Sequence, residues 1–117
     1  MHFAIASTWG ATDTTRASLP FLFAASALQA GDSVMIMLFH DAVTIAVKGA
    51  YENMVPFGPP QRFTEVFSHP NAMIFACKPC AEVRGIGADM LITKCSMGAM
   101  NDFYQHASRV DAKVLTF

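Results

Sequence analysis

The run Ser33-Val34-Met35-Ile36-Met37-Leu38-Phe39 constrains the fold of this chain more than any other segment. It is an almost continuous apolar strand, and a strand without polar alternate residues has to be covered on both faces. Parallel sheets meet that condition, because their helical crossovers lie above and below the strands. The flanking sequence alternates to match. A strand over residues 2–7 leads into a polar loop, and Asp13 or Thr14 caps a helix running to Gln29, with Ala30-Gly31 as terminator. Pro20 is expected to kink that helix or delay its start. After the apolar strand come short helices at 42–48 and 62–67, separated by an irregular segment at 49–60 rich in proline and glycine. A strand at 71–76, helical turns at 81–84 and 88–92, a strand at 93–97, a helix from Gly98 to Ser108 and a last strand at 113–117 complete the pattern. This predicts an α/β fold: a three-layer α/β/α sandwich around a mainly parallel five-stranded sheet.

At 117 residues the chain makes one domain, residues 1–117, with a single core. A net charge of −1 and the lack of a basic cluster argue against nucleic acid and anionic membrane surfaces. Charged residues are 15% of the chain, below the ~25% usual for soluble domains, and 53% are hydrophobic. A lone monomer would leave much apolar area in water, so a homo-oligomer is expected. The longest apolar run, Leu19 to Leu28, contains Pro20 and is shorter than the ~20 residues a bilayer span needs. No basic segment precedes an apolar stretch at the start, so no targeting sequence is expected. Three cysteines fit reduced thiols in a cytoplasm better than a secreted disulfide framework.

Chemistry concentrates at Cys77-Lys78-Pro79-Cys80, where a strand ends and a helix closed by Gly85 begins. Unpaired backbone N–H groups and the helix dipole at such a position favour thiolate over thiol, and the thiolate is the nucleophile. Three readings compete with one another. The cysteines are small buried hydrophobes, or a dithiol pair like that of thioredoxin, or a persulfide carrier. The thioredoxin reading is weakened by the late position of the motif and by Phe75-Ala76, where tryptophan usually precedes the first cysteine. A zinc site would need two more ligands, and there is no second C-x-x-C and no H-x-x-x-H.

Other residues carry weaker signals. The loop from Ser7 to Thr12 resembles a flavodoxin phosphate loop, with Trp9 standing where a hydroxyl residue is normal; an ordinary βα turn explains it better. His40-Asp41 fits a base and its orienter, or an Asp41 N-cap beside a strand-end histidine. Cys95 is either a second sulfur acceptor at the same sheet edge or an ordinary strand residue. His2, His69 and His106 read as surface or strand-end residues, and the eight methionines as core and interface filler.

Taken end to end, the chain resembles the DsrE/DsrF-like family, which includes the TusD-type sulfur-relay subunits. The resemblance rests on F-A-I at 3–5, A-S-x-x-F-x-F-A at 17–24, A-G-D at 30–32 and D-A-V-x-x-A-x-K-G at 41–49. Cys77 followed by Arg84-Gly85-Ile86 looks like the family's C-x6-R-G-[IV] segment, and Gly98-Ala99 and Val114 to Phe117 fit as well. The resemblance implies a small α/β protein that forms trimers or hexamers and relays sulfane sulfur, with Cys77 bearing the persulfide. The partners implied are a small sulfurtransferase as donor and a protein acceptor, with no metal or organic cofactor in the transfer step. Arg84 and Gly85 would then shape the helix end. Cys80 departs from the family pattern: by attacking a Cys77 persulfide it would turn the chemistry toward a dithiol–disulfide oxidoreductase. A non-catalytic oligomeric assembly module is the remaining alternative.

Overall fold

The computed structural model describes residues 1–54 and 61–117. Five strands form one sheet: β1 His2–Ser7, β2 Ser33–Leu38, β3 Ala72–Cys77, β4 Cys95–Gly98 and β5 Ala112–Thr116. Their order is β4-β3-β2-β1-β5, and every neighbouring pair is parallel. The helices are α1 Thr14–Gln29, α2 Gln61–Ser68, α3 Lys78–Glu82 and α4 Met100–Ala107. Short 3-10 segments lie at His40–Ala46, Tyr51–Asn53 and Ala88–Met90.

Chain handedness explains the layering. Steps from β1 through β4 all move one way across the sheet, so right-handed crossovers put α1, α2 and the His40–Ala46 segment on one face. The connection from β4 to β5 returns across the sheet in the other direction and therefore passes over the opposite face. It carries α4, which packs on β1, β2 and β5. Strand β2 is buried on both faces from Val34 to Leu38, as its unbroken apolar sequence requires.

On the first face Ile5, Val34, Ile36, Leu38 and Ile74 pack against Phe21, Ala24, Ala25 and Leu28 of α1. The Phe21 ring stacks on Phe67 at 5.5 Å and lies 4.6 Å from Phe63, which ties α1 to α2. Removing such a buried ring costs about 3–5 kcal/mol. On the second face α4 is the one helix among the described residues, and it packs on β1, β2 and β5. Met73 of β3 is 47% exposed and Val114 of β5 48%, one on each side of the helix.

Details of the elements differ from the sequence reading. Asp13 caps α1 by accepting from the Arg16 N–H at 3.0 Å, and the helix runs through Pro20 without a break. Residues 42–48 form no α-helix; the segment is 3-10 and starts at His40. Asp41 is not its N-cap. Phe39 holds that position with no side-chain bond, because the Asp41 carboxylate is taken by Arg84. Of the irregular stretch expected at 49–60, positions 55–60 lie outside the described residues.

Candidate thiol site at the carboxyl edge of the sheet

Strands β3 and β4 are neighbours, with Cys77 opposite Gly98, yet their connections leave in different directions. The chain after β3 enters α3, which packs on the His40–Ala46 segment of the first face; the chain after β4 enters α4 on the second. Ligands of open α/β sheets gather outside the strand ends where the connections diverge in this way. Cys77 ends β3 at that divergence. Glycine is required opposite it, since a Cβ at residue 98 would lie 2.9 Å from the Phe75 ring.

Cys77 is also the residue preceding α3, and Cys80 sits in the first turn of that helix. Both are free thiols, with sulfurs 2.9 Å apart. Cys77 is 7% exposed, whereas Cys80 is half-buried. The helix-mouth argument predicted a lowered Cys77 thiol, and the structure gives the opposite direction. Burial, and after it the hydrogen bond with Cys80, push the Cys77 thiol above its usual range. The Cys80 backbone N–H and the Arg84 charge act the other way without offsetting them. A five-residue helix behind a buried sulfur does not outweigh desolvation.

His40, Asp41 and Arg84 surround the pair. His40 has φ 53, a left-handed conformation unusual for a side-chain-bearing residue, and its N–H donates to Cys80 Sγ at 3.2 Å. Arg84 lies four residues after Cys80, on the same face of the helical turn. It donates through Nε and Nη2 to Asp41 Oδ1 at 3.0 and 2.7 Å, through Nη1 to the Cys80 carbonyl at 3.0 Å and through Nη2 to His40 Nδ1 at 3.0 Å. In that last bond His40 Nδ1 is the acceptor, since a guanidinium only donates. Nε2 lies 3.9 Å from Asp41 Oδ2, beyond hydrogen-bond reach, so Arg84 stands between the histidine and the carboxylate. The guanidinium bond holds the Asp41 carboxyl below the usual carboxylate range. Gly85 follows with φ 71, and Ile86 N–H closes the turn on the Ala81 carbonyl at 2.9 Å.

One edge thus collects Cys77, Cys80, His40, Asp41 and Arg84. Cys95 is not among them. It begins β4 opposite Ile74, three residues below Gly98, which is about 10 Å along the strand. Burial pushes its thiol up to about 12. The loop after β1 forms no open phosphate cradle either: Thr8 bonds to the Phe117 carbonyl, and Gly10 lies so close that a Cβ would meet the Asp41 carbonyl at 2.5 Å. Among the described residues no three His, Cys, Asp or Glu side chains are gathered so as to hold a metal.

Arg84 as a clamp is the feature that sequence reasoning missed. Its spacing of four from Cys80 was the available signal, but its partners lie on another strand end. His2 is the strand-end residue that its position suggested, at the start of β1, and not a surface one. It is only 3% exposed, with Nδ1 2.7 Å from Ser33 Oγ and Nε2 3.0 Å from His106 Nδ1, because α4 covers the start of β1.

Comparisons with known proteins agree with this architecture. No curated protein matches the chain significantly. Among solved structures, the YchN protein from E. coli superposes with a TM-score of 0.74 at 21% identity, covering 100% of this chain and 99% of its own. The protein of unknown function MTH1491 from Methanobacterium thermoautotrophicum gives 0.69 at 12% identity, covering 99% and 96%. At these identities the likeness speaks for the fold. The DsrE/DsrF-like family model matches residues 1–117, and the chain therefore belongs to the DsrE/DsrF-like family.

Proposed function

We propose that this protein is a cytoplasmic sulfur-relay carrier that holds sulfane sulfur as a persulfide on Cys77. Membership of the family suggests a relay-type role. The observation that carries the reading is the pair of free sulfurs 2.9 Å apart at the divergence of the β3 and β4 connections. Persulfide transfer needs a thiol to hold the sulfur, and it is helped by a neighbouring sulfur within reach and nearby positive charge. Cys77 at the end of β3 would hold the sulfur, the Cys80 sulfur lies 2.9 Å from it, and Arg84 brings the positive charge beside the pair. A small sulfurtransferase presenting its own persulfide is the donor in this reading, and a second protein is the acceptor.

Homo-oligomerisation, as a trimer or hexamer, belongs to the same proposal. Met73, Met100, Tyr104 and Val114 are all exposed on and around α4, an arrangement that favours a partner surface on that face. Sedimentation velocity at micromolar concentration tests it, and a purely monomeric profile would contradict it.

Mass spectrometry after incubation with a persulfide-loaded sulfurtransferase tests the carrier role. The Cys77 peptide should gain one sulfur atom. No gain on Cys77, with the donor confirmed loaded, would sink the reading.

The closeness of the two sulfurs also supports a second reading, a dithiol–disulfide oxidoreductase. That reading requires a reversible Cys77–Cys80 disulfide, and Cys80→Ser would abolish turnover while sparing Cys77 loading.

A further inference from the structure

We infer that Cys80 is the receiving thiol of the pair, taking sulfur from an incoming persulfide and handing it to Cys77. This deepens the relay reading and rests on it. Three observations carry it. Cys77 is 7% exposed at the end of a central strand, so a sulfur borne on another protein cannot approach it directly. Cys80, one helical turn on, is half-buried and so more exposed than Cys77. Only Cys80 has the His40 N–H aimed at its sulfur, at 3.2 Å, and the unusual φ of 53 at His40 is what turns that donor inward. That bond fixes the position of the Cys80 sulfur at the end of β2. Arg84 fixes the same turn through the Cys80 carbonyl.

The chemistry balances without an added oxidant or reductant. Cys80 thiolate attacks the terminal sulfur of R–S–SH; a Cys80 Sγ–S bond forms, the donor S–S bond breaks and the donor leaves as R–S⁻. Cys77 Sγ then attacks the same terminal sulfur. Its thiol proton passes to Cys80 Sγ as that sulfur departs, leaving Cys77 as the persulfide and Cys80 as a thiol. The short distance between the sulfurs confines the hand-off to one turn of chain.

The test uses the full chain as wild type, Cys80→Ser and Cys77→Ser, with a rhodanese-type sulfurtransferase loaded from thiosulfate as donor. Each thiol's iodoacetamide rate is measured in parallel. Cys80 should be alkylated at least about tenfold faster than Cys77. In Cys80→Ser, loading of Cys77 from the protein donor should fall by a similar factor, while Cys77→Ser should still capture sulfur on Cys80. Wild-type loading rates in Cys80→Ser, or faster alkylation of Cys77, would overturn the assignment. If Cys80 is alkylated first but neither cysteine takes sulfur from a loaded donor, the relay reading falls and the hand-off with it. Cys80 then stands only as the more reactive thiol.

Discussion

Arg84 and Asp41, 43 residues apart in sequence, are joined by two hydrogen bonds onto one carboxylate oxygen, at 3.0 and 2.7 Å. That clamp fastens the end of α3 to the segment that begins where β2 ends, and so sets where His40 points its N–H. Planar two-nitrogen donation is a property of arginine that lysine lacks. Arg84→Lys should therefore keep the charge and lose the positioning. The expected result is a reduced rate difference between Cys80 and Cys77 in pH-resolved alkylation, with an unchanged far-UV circular dichroism spectrum. Because the folded Asp41 carboxyl is held low, its contribution to stability is present above the ordinary carboxylate range and is lost as the pH falls through the lowered value. In Arg84→Lys this acid sensitivity should weaken.

The His2–His106 pair makes a second pH prediction. Burial is the leading cause that lowers both imidazoles below the ordinary value of about 6.5. The folded state thus favours the neutral rings, so stability is full above about pH 6.5 and declines as the pH drops toward the lowered folded values. Thermal unfolding followed between about pH 7 and pH 5 should show that decline. His106→Asn should flatten it.

Gly10 has no room for a side chain, since a Cβ would lie 2.5 Å from the Asp41 carbonyl and 2.8 Å from Thr44 Oγ1. Gly10→Ala should cost about 1–3 kcal/mol in denaturant titrations through overpacking. It should also disturb Cys80 alkylation, because the backbone it strikes is that of Asp41.

Cys95 is predicted to be silent. Its sulfur is buried in β4 and its thiol is pushed up to about 12, so the native protein should show no Cys95 alkylation at neutral or mildly alkaline pH. Labelling should begin only where the chain unfolds.

Sheet and helices were legible because Val34 to Leu38 has no polar alternate residue, and the turn glycines and the Asp13 cap lie at their usual places. The gathering of chemistry at the ends of β2 and β3 followed from that topology. Side-chain destinations did not. Asp41 reads as a cap in sequence because caps are local, whereas its partner Arg84 arrives from the next crossover. The Cys77 thiol was placed on the wrong side of its ordinary value because burial, a tertiary quantity, outweighs the helix end. His2, read as a surface or strand-end residue, does open β1, but its burial could not be read from sequence, since His106 reaches it from α4.

Cyanide-labile sulfur tests the central claim most directly. Wild-type protein and the Cys77→Ser/Cys80→Ser double variant are incubated with a persulfide-loaded sulfurtransferase, separated from it, and treated with cyanide. Sulfur carried on the pair predicts thiocyanate approaching one equivalent per chain from the wild type and none from the double variant, although Cys95 remains. Equal thiocyanate from both proteins, or none from the wild type with a loaded donor, would contradict the account.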